Sequence, residues 1–143
     1  KSNPKSIHRL ADLAQPVLRL GVANAVQSAL GALTARLLKT QGLHDQVMTN
    51  VKVRTPTADM LVNQMRTGSL DAVVVYEANT SQVRELFTVL PISEPGAKAV
   101  QPYAIGRNSQ HRLLMERLLS ALRSAGSRQR FESAGFHWRA AGD

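Results

Sequence analysis

Gly68-Ser-Leu-Asp-Ala-Val-Val-Val-Tyr76 decides the fold. Just before it, Met60, Leu61, Gln64 and Met65 recur at the three-to-four spacing of an amphipathic helix. Gly68 supplies the left-handed residue that ends such a helix. Ala72 to Val75 is then unbroken and apolar, the mark of a strand covered on both faces in a parallel sheet. Tyr76 stands where that strand leaves the sheet, and Glu77-Ala-Asn-Thr80 reads as a small polar turn. In open α/β sheets, ligands bind in the crevice beyond the carboxyl ends of the strands. A tyrosine there offers one hydroxyl donor. A rim tyrosine that merely packs on a loop would occupy the same place.

The same alternation extends in both directions. Upstream, Ser6 can cap a short helix bearing Ile7, Leu10, Leu13 and Ala14, which Pro16 stops. Val17-Leu-Arg-Leu-Gly21 reads as a strand. A helix over about 28–41 carries Leu30, Leu33, Leu37 and Leu38, and Gly42 terminates it. Asn50-Val-Lys-Val-Arg54 alternates as a strand, and Thr55-Pro-Thr57 starts the next helix, with proline tolerated in the first turn. Downstream, 87–92 and 100–105 read as further strands, the second at an edge or crossover because of Pro102. Helices over about 109–123 and 127–134 close the chain. Strands alternating with helices predict an α/β fold, three layers deep, around a mostly parallel sheet.

With 143 residues and 43% hydrophobic content, the chain can bury a real core. No run of about 18 apolar residues is present to span a bilayer. The opening Lys1-Ser-Asn-Pro4, without a methionine or a visible signal peptide, fits a mature product or a fragment. The absence of cysteine removes disulfides, thiol catalysis and Cys-based zinc sites. A net charge of +8 favours anionic partners. Between Arg107 and Arg139 there are seven arginines against Glu116 and Glu132. The aromatics of that stretch, Phe131, Phe136 and Trp138, are bunched near its end rather than interleaved as a base-stacking platform. The arginines therefore read as a solvated helix face, and no specific nucleic-acid partner is expected.

Two helix starts follow strands directly, in Asn24-Ala-Val-Gln-Ser-Ala-Leu-Gly31 after the strand at 17–21 and in Thr55-Pro-Thr-Ala-Asp59 after the strand at 51–54. Each leaves unpaired N–H groups and the positive end of a helix dipole. Side by side at one sheet edge they would hold an anion without any formal charge. Ser28 and Thr57 also fit plain N-caps. Asp59, in the first turn of its helix, reads as dipole compensation that mildly opposes an anion there. No catalytic set can be assembled. His8, His44, His111 and His137 are scattered without carboxylates at ligand spacing, and no HExxH, P-loop, GxSxG or Rossmann glycine run occurs. Neither catalysis nor a metal or cofactor is expected.

The order of segments resembles the C-terminal half of the periplasmic molybdate-binding proteins of ABC transporters, within the class II solute-binding fold. The phrases that carry it are Asn3-Pro-Lys-Ser-Ile-His-Arg-Leu-Ala-Asp-Leu13, Leu30-Gly-Ala-Leu-Thr-Ala-Arg-Leu-Leu-Lys-Thr-Gln-Gly-Leu43 and Gly68 to Tyr76. The stretch Pro102-Tyr-Ala-Ile105 and the ending Arg130-Phe-Glu-Ser-Ala-Gly-Phe136 also fit. Such proteins close two lobes on a tetrahedral oxyanion. The resemblance implies an anion held by backbone N–H groups at Ser28, Ala29 and Leu30, by the Thr57–Ala58 turn, and by the hydroxyl of Tyr76. Where the family has Gly-Asp-Pro after the first strand and Pro-Ala-Gly at the helix start, this chain has Gly21-Val-Ala-Asn24 and Ala29-Leu-Gly31. The glycines are kept and the rest is not.

The resemblance further implies that 1–99 is the ligand-gripping second lobe. Residues 100–143 would be a crossover strand and helices that return to a first lobe, which is absent here. They would then pack on the remaining sheet or on a second copy of the chain, as a homodimer. The implied function is solute binding for an ABC permease, with molybdate, tungstate or sulfate as ligand, in the periplasm or lipid-anchored outside the cytoplasm. The alternative is the ligand-sensing domain of a transcription regulator of the same fold, which would be cytoplasmic.

Overall fold

The computed structural model describes residues 3–139. Those up to Ala99 form one unit and those from Val100 a second. In the first unit, strands β1 (Leu20–Ala23), β2 (Val51–Thr55) and β3 (Ala72–Val73) form one sheet in the order β2-β1-β3. Both pairings are parallel, with Leu20 opposite Val51 and Ala72, and Ala23 opposite Thr55. Helices α1 (Ala29–Thr40), α2 (His44–Thr49) and α3 (Ala58–Arg66) flank it. This is the α/β architecture the sequence predicts, with helices on both faces of a parallel sheet.

Alternation along the strands assigns the faces. Leu20 and Val22 of the fully buried β1 enter one core with Leu37 and Leu38 of α1, Val47 of α2, and Leu10 and Leu13 of a 3-10 turn over Leu10–Ala14. Gly21 and Ala23 point the other way. Ala23 joins Leu61 of α3 and Leu30 in a second cluster, against which Val73 and Val75 pack. Gly21 has no side chain because α3 crosses it closely. A Cβ there would fall 2.9 Å from Leu61 Cδ2 and 2.5 Å from Leu70 Cδ1. Gly42 and Gly68 follow their helices at φ +67° and +71°, which a glycine adopts without a Cβ clash.

The buried ends of the sheet are tied by side chains. Asn50 Nδ2 donates to Leu13 O at 2.8 Å and to Gln15 O at 2.7 Å, joining β2 to the segment that precedes β1. Arg19 and Asp71 lock the entry of β1 to that of β3. Asp71 Oδ2 accepts from Arg19 N at 2.8 Å and from Nε at 3.2 Å, and Oδ1 accepts from Nη2 at 2.8 Å. Hydrogen bonding to this guanidinium holds the Asp71 carboxyl at about 2. A carboxyl depressed on folding stabilises the protein above its unfolded-state pKa, and that stability is lost as pH falls toward the folded one. Half of Arg19 reaches water, so solvent screening weakens what the pair contributes. Chemical denaturation between pH 6 and 2 should show stability falling below about pH 4. Asp71→Asn should start lower and lose that part of the acid limb.

Several local expectations need correction. Ser6 is no helix cap. It lies at φ 50° in a loop organised by Asn3, which exchanges hydrogen bonds with Ile7, and Arg9 stands at the N-cap. The first strand starts at Leu20, because Val17 turns the chain at φ 65°. Residues 44–49, unassigned from sequence, form α2. The segments 87–92 and 100–105 form no strand. Pro91 and Pro102 each remove a ladder donor, and neither segment has a pairing partner among the described residues. In the second unit, α4 (Arg112–Leu122) and α5 (Ala125–Ser133) pair. Their arginines include Arg112 on Glu116 at 2.9 Å and Arg128 on Glu132 at 2.8 Å, both i,i+4 pairs. The late aromatics do cluster, with the Phe131 ring 5.7 Å from Phe136 and 5.6 Å from Trp138.

Candidate functional site

The parallel register brings the ends of β1 and β2 level, with Ala23 opposite Thr55, so Asn24 and Pro56 leave the sheet side by side at a strand spacing of about 4.8 Å. On the other side of β1, the expected strand over 72–75 is shorter: β3 ends at Val73, opposite Gly21, and the chain runs on to Tyr76 outside the sheet. Asn24 N donates to Thr55 O at 2.7 Å, which ties the turn before α1 to the end of β2. Asn24 also shapes that turn with its side chain. Its Oδ1 accepts from Val26 N at 2.9 Å and Gln27 N at 3.2 Å. This Asx turn was missed in the sequence, although an asparagine after a strand is the signal for one.

Both helix starts remain open. Ser28 and Thr57 sit at the N-cap positions of α1 and α3 with extended backbone, yet neither side chain accepts a hydrogen bond from its helix. The plain-cap role is thus unfilled. The N–H groups of Ala29, Leu30 and Gly31, and those of Ala58, Asp59 and Met60, have no acceptor among the described residues. Gly31 brings α1 close: a Cβ there would fall 2.5 Å from Ala23 O and closer to the Asn24 carbonyl. At α3, Thr55 Oγ1 donates to Thr57 O at 2.7 Å and fixes the entry.

Tyr76 packs on the cluster of Ala23, Leu30 and Leu61, where Ala58 also packs. That cluster holds Leu30 from the start of α1, and Ala58 from the start of α3 packs on it as Tyr76 does. Its hydroxyl has no hydrogen-bond partner among the described residues, and none of their buried side-chain polar atoms is unsatisfied, so this group faces solvent. Partial burial pushes its pKa up, which keeps it protonated and a donor at neutral pH. Ser28, Ala29, Leu30, Thr57, Ala58 and Tyr76 thus share one edge of the sheet. The residues missed there are Asn24, Gly31 as a close-approach position, and Asn79, whose Nδ2 donates to Asp59 Oδ1 at 3.1 Å. No cluster of three metal-ligating side chains occurs among the described residues.

Two open helix starts and a tyrosine hydroxyl at one edge of the sheet are groups that could hold an anion. The chain belongs to the bacterial extracellular solute-binding protein family, whose model matches residues 1–137. A Haemophilus influenzae protein described as a binding protein is 28% identical over 91 residues, covering 64% of this chain and 37% of its own. The crystal structure of PEB3 bound to L-phospholactate superposes with a TM-score of 0.72 at 16% identity, over 97% of this chain and 62% of PEB3. A glycosylated PEB3 variant gives 0.68. The chain therefore spans about two fifths of the Haemophilus relative and about three fifths of PEB3. The family match supports a solute-binding protein, and the likeness to PEB3 concerns its fold. Among the described residues no helix is long and apolar enough to cross a membrane.

Proposed function

We propose that this chain is the ligand-gripping part of a two-lobe, periplasmic solute-binding protein that delivers a tetrahedral oxyanion to an ABC permease. The observation that carries this reading is the pair of uncapped helix starts, α1 and α3, tied together through Asn24 N and Thr55 O beside the free hydroxyl of Tyr76. Backbone N–H groups aimed along helix dipoles hold anions without a counter-charge to desolvate. Molybdate, tungstate and sulfate are the ligands in view. PEB3 was crystallised with a phosphorylated acid, whose phosphoryl group is also a tetrahedral oxyanion, so phosphate esters belong to the same class. Val26 and Met60, exposed at 95% and 48% beside the two helix starts, are apolar rims that closure by a second lobe would cover.

Half a cleft stays wet, so each donor contributes only about 1 kcal/mol net. Calorimetry should give weak binding of molybdate to this chain alone, and Tyr76→Phe should weaken it about fivefold, the equivalent of one such bond. Submicromolar binding by the isolated chain, or an affinity unchanged by Tyr76→Phe, would contradict this assignment.

A further inference from the structure

An acidic residue in the first turn of a helix compensates the dipole and needs no partner for that. Asp59 has one. Its Oδ1 accepts from Asn79 Nδ2 at 3.1 Å, joining α3 to the 3-10 turn Glu77–Thr80 across 20 residues of sequence. Asn79 in turn donates its backbone N–H to the Tyr76 carbonyl at 3.0 Å. The turn is closed by Thr80 Oγ1 on Glu77 O at 2.7 Å, and Arg84 pairs with Glu77. Resting on the reading of Tyr76 as an anion donor, we propose that Asp59 and Asn79 form a strut that holds the Tyr76 side chain against the start of α3. Asp59 is thereby a positioning residue for the site.

The physical need is clear from what else holds Tyr76. Its ring is half-buried, its hydroxyl has no hydrogen-bond partner among the described residues, and it lies beyond the end of β3 at Val73. A hydroxyl aimed at an anion must be placed to within a few tenths of an ångström. The Asn79 side chain carries the hydrogen bond from this turn to α3. It also accounts for a carboxylate kept beside an anion site, where its charge alone is a cost. The strut and the dipole role depend on different atoms. Asp59→Asn keeps an acceptor oxygen and removes the charge, whereas Asn79→Ala keeps the charge and removes the donor.

The test uses the full chain with Tyr103→Phe, which leaves Tyr76 as its one tyrosine. Carbon-13 tyrosine NMR follows the Tyr76 ring and its phenol titration, and thermal melts confirm that each variant is folded. Burial raises the Tyr76 phenol. Asn79→Ala and Asp59→Ala should each relax that upward shift by freeing the ring, and the double variant should add nothing further. Asp59→Asn, which keeps an acceptor for Asn79, should leave the Tyr76 ring signals at their parent positions. A parent-like Tyr76 signal in folded Asn79→Ala, or Asp59→Asn behaving like Asp59→Ala, would overturn the strut. Asn79→Ser, which shortens the side chain without adding apolar surface, repeats the measurement should Asn79→Ala not fold. Millimolar molybdate added to the parent should move the Tyr76 signal. If it does not while the variants behave as stated, the anion reading falls and the strut stands.

Discussion

Gly31→Ala is expected to lower the thermal midpoint by about 10 °C and to disorganise the site at the same time. The added Cβ would meet the carbonyls of Ala23 and Asn24, which are backbone atoms and cannot rotate aside. Relief requires α1 to move away from the end of β1. That opens the cluster of Ala23, Leu30 and Leu61 on which Tyr76 packs. Overpacking costs about 1–3 kcal/mol where side chains can adjust, and the upper end applies where backbone must yield. Gly126→Ala is the control. It lies in α5 with nothing within 4 Å of an added Cβ, and should be neutral or stabilise by a few tenths of a kcal/mol. Circular-dichroism melts decide the matter. A Gly31→Ala variant that melts with the parent would show that α1 does not approach β1 as described.

Asn50 carries the second large effect. Its side chain is buried and donates to two carbonyls, Leu13 O and Gln15 O. Asn50→Ala leaves both acceptors without that donor, at a cost of about 3 kcal/mol in all. Asn50→Asp should be worse at neutral pH, because a buried carboxylate faces two carbonyl oxygens and no donor. Lowering the pH would protonate it and recover part of the loss. Urea titrations at pH 7 and pH 4 test this. Equal stability of parent and Asn50→Asp at pH 7 would remove Asn50 as the clamp between β2 and the segment before β1.

The parts of the fold that the sequence made legible are those whose signal is local. Alternating runs at Val51–Thr55 and the apolar Ala72–Val75 lie in or beside real strands, and Gly42 and Gly68 end helices at positive φ. Each of these depends on a residue and its near neighbours. Segments 87–92 and 100–105 failed because a strand exists only through its partner, and their apolar content says nothing about pairing. Ser6 failed because Asn3 captured Ile7 first, a competition between two polar side chains that a capping rule does not weigh.

The candidate site was legible to a different degree. Tyr76 and the two helix starts could be placed at one edge because a parallel sheet brings its strand ends together. Asn79 could not, since its bond to Asp59 joins side chains 20 residues apart. The open state of Ser28 and Thr57 was equally hidden. Residue type favours a filled cap, and only the geometry leaves both side chains off their helices.

The central claim is that backbone N–H groups at two helix starts receive the anion. Nitrogen-15 NMR titration of this chain with molybdate, at an ionic strength fixed with chloride, tests it most directly. The account predicts saturable shifts at the amides of Ala29, Leu30, Gly31, Ala58, Asp59 and Met60, with a common weak affinity that Tyr76→Phe lowers further. Shifts confined to the arginine-bearing helices α4 and α5, or none at the two helix starts, would contradict it.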